Sequence, residues 1–452
     1  MPEKTTVRFI SLGCPKNLVD SEVMVGHLMN DEFTVVRPDA PSDVAVVNTC
    51  GFIEASKQES INTLLEIAQE KKKGSLKLLV AAGCLAQRYS QDLPGLLPEV
   101  DAFIGTGDFS RLGLIIRNRL KGGKKRNYVE YPKELPTART TRAYATPSYS
   151  RYVKIAEGCS HSCSFCIIPK MRGGLKSRPT DDVVEEIRRG CDEGVKEFNL
   201  ISQDLNEYGR DRRPVAGPIE KTSLFGLLTK IADLRGNFWV RLLYMYPLQF
   251  PDRLIDLIRD HPHVVKYVDI PLQHIDDAIL KSMRRGSNAR YIYRLISKLK
   301  ENIPDIVLRT TFITGYPGET DEAFDRLIKF VREMEFDRVG VFTYSAEEGT
   351  PAFNLPNGVP QTIKEERRDI LLQVQQAVSL KKNRRYVGRT LKMLYEGAST
   401  QSEFLGSGRF YGQAPEIDGE ILIRKGKAEP GAFVDVKIVE AFEYDLLGEI
   451  VE

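Results

Sequence analysis

No apolar run in the sequence approaches the roughly 18–20 residues that a membrane-spanning helix needs. The opening segment, MPEKTTVRFISLGCPKN, lacks the apolar stretch and cleavage site of a secretory leader. Neither sign of charge dominates: 65 Lys and Arg face 62 Asp and Glu, a net of +3. Composition therefore declares no nucleic-acid or membrane partner. These absences predict a cytoplasmic protein. Cysteine is sparse, with seven in 452 residues. In a long chain without a leader, that number argues against a disulfide framework and for metal or redox use. At about 100–200 residues per domain, the length predicts roughly three domains.

The cysteines fall at 14, 50, 84, 159, 163, 166 and 191. Cys14, Cys50 and Cys84 share a local context. Each follows a strand-like apolar run: VRFISLG, VAVVNT and LKLLVAAG. Helical patterns come next, over 17–30 and 52–73, with a shorter one after Cys84. AFIGTG (102–107) reads as a fourth strand. This βαβα alternation predicts a parallel sheet, with sites at the carboxyl ends of its strands. The three cysteines are expected to converge on that edge. The plainer reading is three small core residues.

Residues 5–120 thus form an expected α/β domain. Residues 121–148 read as a linker, rich in Pro, Thr and Ala and partly ordered at best. The basic stretch RNRLKGGKKR (117–126) reads as a solvated face, with nucleic-acid contact the lesser reading. Between 149 and 382 a strand-then-helix pattern repeats about six times. It predicts a partial (β/α)6 barrel with chemistry at the C-terminal ends of its strands. A long helix over 362–384 closes this block. Residues 385–452 change to short β-type runs punctuated by glycine, among them RFYGQ (409–413) and LLGEIVE (446–452). They predict a small all-β barrel of the oligonucleotide-binding kind.

Cys159, Cys163 and Cys166 form a C-x3-C-x2-C run in EGCSHSCSFCIIP. A structural zinc site wants four closed ligands, and His161 is the one nearby residue able to complete such a set. A 4Fe-4S cluster accepts thiolates from a compact loop, and three of them leave one iron open to an outside molecule.

This run, with Phe165 before its last cysteine, resembles the radical S-adenosylmethionine (SAM) superfamily. The upstream trio and the C-terminal barrel narrow the resemblance to the methylthiotransferases, across essentially the whole chain. SLGCPKNLVDSEVM (11–24), NTCGFIEAS (48–56), GCLAQRY (83–89), EGCSHSCSFCIIPKMRG (157–173), DIPLQH (269–274) and YSAEEGTPA (344–352) resemble the ribosomal-protein branch, the RimO type. The transfer-RNA branch typically has Gln where this chain has Pro15.

The resemblance implies two 4Fe-4S clusters, held by Cys159/Cys163/Cys166 and by Cys14/Cys50/Cys84, with SAM at the open iron of the first. It implies radical methylthiolation of the β-carbon of an aspartate in small-subunit ribosomal protein number twelve, free or on the ribosome. One SAM is cleaved, a second gives the methyl group, and the upstream cluster holds or delivers sulfur. An electron donor and a sulfur source are implied partners; transfer RNA is the alternative substrate. It implies that the core over 149–382 is a radical SAM domain and the tail a TRAM domain.

Residues 386–452 carry 7 Lys and Arg against 12 Asp and Glu. Such a barrel repels a phosphate backbone and suits a basic protein. Candidate SAM contacts are Phe165, Gln203, Arg309, Ile313 and Gly315. The last two match the family's G-x-I-x-G stretch, in which Thr311 replaces the first Gly. Asp204, Gln273 and His274 also close strands. For all these polar residues a structural hydrogen bond is an equal expectation. Cys191 lies in a helical pattern and reads as a core residue. A two-cluster electron carrier would use four cysteines per cluster, not three. A zinc-binding RNA module would hold zinc and no iron.

Overall fold

The computed structural model describes residues 4–29, 32–107, 109–212, 222–400, 402 and 405–451. The expected helix over 17–30 and the expected tail strand over 446–452 each end on a residue outside this set, Asn30 and Glu452.

The N-terminal strands are β1 (Thr5–Ser11), β2 (Phe33–Val36), β3 (Val44–Thr49), β4 (Leu78–Gly83), β5 (Ala102–Ile104) and β6 (Asn127–Tyr128). They form one parallel sheet in the order β2-β1-β3-β4-β5-β6. β3 and β4 are buried along their whole length, which is why they read as unbroken apolar runs. The helices are α1 (Pro15–Met29), α2 (Glu54–Lys72), α3 (Cys84–Arg88), α4 (Leu93–Leu96) and α5 (Leu112–Leu120). They cover both faces, leaving two apolar layers.

The segment over 121–148 is tied down, unlike a linker. β6 extends the N-terminal sheet beside β5. Arg126 donates to the carbonyls of Pro94, Leu97 and Val100. Arg142 pairs with Glu22 at 2.5 Å and Glu186 at 2.7 Å. These bonds come from distant segments, so local composition does not foretell them. Part of the basic stretch thereby serves the fold rather than a solvated face.

The central strands are β7 (Ser150–Lys154), then β8 (Ala156–Glu157) and β9 (Lys176–Ser177), which pair with each other, and β10 (Glu197–Ile201), β11 (Trp239–Leu242), β12 (Val264–Asp269), β13 (Val307–Thr314) and β14 (Arg338–Thr343). The main sheet runs β14-β13-β12-β11-β10-β7, parallel throughout and open between its two edges. Its helices are α6 (Ile168–Arg172), α7 (Thr180–Asp192), α8 (Leu224–Ala232), α9 (Asp252–Asp260), α10 (Asp277–Ser282), α11 (Ala289–Asn302), α12 (Asp321–Met334) and α13 (Gln361–Arg384). They bury one large apolar core.

The tail forms a closed barrel of β15 (Thr390–Ala398), β16 (Gly406–Phe410), β17 (Ile421–Lys425), β18 (Phe433–Ala441) and β19 (Leu446–Ile450), ordered β15-β16-β17-β19-β18. It packs into the concave side of the central sheet, where Leu394, Ala414 and Phe433 meet Tyr152, Trp239, Val265 and Tyr267. Arg409 of the barrel reaches the fully buried Glu197 at 2.8 Å.

The N-terminal domain straddles the open side of the central sheet. Asp20 of α1 pairs with Lys154 at the end of β7. At the other edge, Arg88 of α3 binds Glu347, just beyond β14, at 2.6 Å. The carboxyl ends of both parallel sheets therefore face each other.

Candidate active site between the two sheets

The three upstream cysteines follow β1, β3 and β4, and their loops touch. Gly13 has φ +91, and a Cβ there would lie 2.9 Å from the Cβ of Cys50. Glycine is thus what lets the first loop lie against the second. A Cβ at Gly51 would lie 2.9 Å from the Cα of Leu85, beside Cys84. Asn17 laces the loops together, donating to the carbonyls of Leu12 and Thr49 at 3.0 Å. Cys50 and Cys84 are buried and Cys14 is exposed. Burial pushes the Cys84 thiol up to about 12, with the Arg172 charge opposing it. Burial also raises the Cys50 thiol.

The second trio lies between β8 and α6. The backbone N–H of Cys166 donates to the Cys163 carbonyl at 3.2 Å. Burial pushes Cys159 up to about 11 and Cys166 to about 12. Tyr246 lies 3.9 Å from the Cys163 sulfur through its hydroxyl and stacks on His161. Arg285 donates toward the same sulfur at 3.6 Å and lies over the Tyr246 ring.

The chemistry of the donor sets matches iron–sulfur ligation. In neither trio do all three Sγ atoms lie within 4.8 Å of one another; His161, Asp204 and Glu207 form the one such ligand group among the described residues. A single zinc with sulfur bonds of about 2.3 Å would hold its thiolates about 3.8 Å apart. Three thiolates per site, with no fourth protein ligand among the described residues, suit a multi-iron cluster with one open iron. His161 does not join the thiolates: its Nε2 is 2.7 Å from Asp204. Cys191, on α7, packs against the central core.

Arg172, at the end of α6, connects the trios. Its Nε and Nη2 donate to the Cys84 sulfur at 3.2 and 3.1 Å. Its Nη1 holds Asp20 at 2.7 Å and Glu157 at 3.1 Å. Burial works to raise the Glu157 pKa, but Arg172 and Lys154 outweigh it and keep the carboxylate ionised. Arg172, Glu157 and Asp20 carried no assigned role in the sequence reading. The one available signal was their place inside the quoted motifs.

The candidate SAM contacts divide. Phe165 and Ile313 pack on one apolar cluster with Met283, Tyr316 and Tyr344. Gln203 donates to Glu157 at 2.6 Å, while its buried Oε1 has no partner. Gly315 donates its N–H to Glu319 at 2.9 Å. Arg309 lies apart from these, bound to Asp269 at 2.9 Å and 3.9 Å from Asp418 of the C-terminal barrel. His274 is fully buried against Glu319 at 3.1 Å, a structural bond. Asp204 accepts from the N–H groups of Asn206 and Tyr246. The N–H of Gln273 donates to the Thr311 carbonyl at 2.8 Å.

Comparison with known proteins matches this organisation. Residues 6–105 match the uncharacterized protein family UPF0004, residues 153–331 the radical SAM superfamily, and residues 387–451 the TRAM domain. The ribosomal protein uS12 methylthiotransferase RimO of Syntrophotalea carbinolica is 47% identical over 100% of this chain and 98% of its own length. The RimO protein of Geobacter sulfurreducens is 45% identical over 99% of both chains. The chain belongs to the RimO family of radical SAM methylthiotransferases. Among solved structures, the radical SAM methyltransferase TsrM of Kitasatospora setae, with cobalamin and a [4Fe-4S] cluster bound, superposes with a TM-score of 0.58. It shares 14% identity and covers 78% of this chain and 77% of its own. That likeness concerns the fold. No described helix is long and apolar enough to cross a membrane.

Proposed function

We propose that this enzyme methylthiolates the β-carbon of an aspartate in ribosomal protein uS12. The observation that carries the reading is the meeting of two three-cysteine sites across one interdomain space, in a chain matching RimO proteins end to end. Cys159, Cys163 and Cys166 are the ligands of the SAM-binding 4Fe-4S cluster. Cys14, Cys50 and Cys84 hold the second cluster. When bound, cluster and SAM supply the one-electron chemistry that an unactivated C–H bond requires.

The chain's own residues do the rest. Phe165 and Ile313 offer an apolar wall for the cofactor, and Gln203 a carbonyl oxygen free to accept from it. Burial of Cys50, Cys84 and Cys163 limits the water that reaches these thiols. The acidic tail supports a basic protein partner. A cavity of about 390 Å³ beside β7 is lined by Glu396, Glu416, Asp418, Glu420 and Asp445 as well as by Arg409. The partner is met in the cytoplasm. An outside reductant and a sulfur source complete the reaction.

Mass spectrometry of uS12 from cells lacking this chain is the test. The protein is expected to lack the methylthio group carried in the parent strain. An unchanged mass overturns the reading, and in vitro transfer to transfer RNA instead of uS12 would replace it.

A further inference from the structure

The described residues include three buried lysines: Lys16, Lys57 and Lys154. Lys57 holds Glu54 and Glu347, and Lys154 holds Asp20 and Glu157. Lys16 is as buried, at 9% exposure, yet its ammonium has no ion pair or hydrogen bond among the described residues. Its contact is the face of the Tyr244 ring, 3.0 Å from the centroid. A ring face offsets part of the cost of burying a cation. It leaves the three N–H donors without an acceptor.

The place of this ammonium matters. Lys16 is two residues past Cys14, in the first turn of α1, where no acidic side chain neutralises the helix end. Tyr244 is two residues before Tyr246, which touches Cys163. Lys16 thus lies near Cys14, against the segment that follows β11 and leads to Tyr246. Tyr244 is fixed there: its φ is +68, its N–H donates to Asp269 at 3.0 Å, and its carbonyl accepts from Leu205 at 3.1 Å. A bulky residue keeps a left-handed backbone only where its surroundings impose it.

The acidic groups Cys14, Asp269 and Glu157 act on this buried ammonium only through space and none of them pairs with it, so it can receive an anion of its own. We propose that Lys16 is the specificity-determining residue that receives the side-chain carboxylate of the substrate aspartate. This rests on the aspartate reading above. The carbon to be modified is bonded to that carboxylate. A charge-assisted bond to Nζ therefore sets it about 4–5 Å from the ammonium, beside Cys14. The carboxylate's identity is read by charge, which a neutral amide cannot match.

The test is a binding cycle on the protein carrying both clusters. Lys16→Met and Lys16→Gln remove the charge, and Lys16→Arg keeps it. Each is titrated with uS12 bearing its natural aspartate and with uS12 bearing asparagine there. The wild type and Lys16→Arg are expected to bind the aspartate protein at least tenfold more tightly. Both charge-removing variants are expected to bind the two proteins equally. Iron content and the paramagnetic signal of the Cys14 cluster should not change. Undiminished discrimination in the charge-removing variants overturns the proposal. So does a shifted cluster signal with discrimination intact, which would make Lys16 a partner of the cluster. Failure of the wild type to bind either protein overturns the aspartate reading itself.

Discussion

Arg172 donates to the Cys84 sulfur at 3.1 Å, joining residues 88 apart in sequence and on different domains. The same guanidinium holds Asp20 and Glu157, one from each side of the boundary. It is a buried cation shared by two carboxylates and a thiol.

Arg172→Met should therefore act on two levels. Removing the cation leaves buried carboxylates facing Lys154 alone, at a cost of about 3–5 kcal/mol. On the reading that Cys84 is a cluster ligand, it also withdraws positive charge and two donors from that sulfur, which favours the oxidised cluster. In a Cys163→Ala background, which isolates the upstream cluster, a redox titration should show a more negative potential. Arg172→Lys should restore most of the stability, since the charge remains, but fewer of the hydrogen bonds.

Cys14→Ala should separate the two sites. The second trio does not depend on it, so iron should fall from about eight atoms per chain to about four. SAM cleavage should persist while methylthio transfer is lost. Iron quantitation and product analysis on one preparation check both. Transfer retained at the wild-type rate would remove the upstream cluster from the reaction.

The cysteines were legible because spacing and strand-end position are properties of the chain itself. β3, β4 and the central strands were legible because burial on both faces writes a continuous apolar run. β2, with its four residues FTVV, and β6, with two, are too short to carry a pattern. β16 was expected over 409–413 and lies at Gly406–Phe410, because Gly406, Ser407 and Gly408 present no apolar signal. Arg172, Lys16 and Tyr244 stayed hidden for a different reason. Each gains its role from a neighbour brought in by another domain or a distant strand, which no local period encodes.

Gly315 illustrates the same limit at one residue. It was read through a family motif, and the structure adds a steric reason for it. Its φ is +72, and a Cβ there would lie 2.1 Å from the Lys364 Cγ. Gly315→Ala should cost about 1–3 kcal/mol through backbone strain and displacement of α13. Adding Lys364→Ala should recover most of the steric part, since only the Cβ contact at 2.9 Å remains, and none of the strain. Denaturation midpoints of the two variants separate these contributions.

The anchoring of the C-terminal barrel should depend on acid through Glu197. This carboxylate is fully buried between Arg241 at 2.9 Å and Arg409 at 2.8 Å. Burial works to raise its pKa, but the Arg409 and Arg241 charges prevail and hold it at about 2. An unfolded glutamate titrates near 4.3, so the pair contributes on the order of 3 kcal/mol that is complete above that value. The contribution is lost as pH falls from there toward about 2. Glu197→Gln removes it at every pH, leaving Arg241 without its anion and Arg409 with Glu396 alone, so it should cost about 3–5 kcal/mol at neutral pH. Its stability should then fall less steeply than the wild type's between about pH 5 and pH 3, where the wild-type carboxylate takes up a proton on unfolding. The chain's one tryptophan, Trp239, packs on Phe433 of the barrel with centroids 4.6 Å apart. Its fluorescence therefore reports barrel release directly. Parallel pH slopes for variant and wild type would show that Glu197 does not carry the acid sensitivity of this interface.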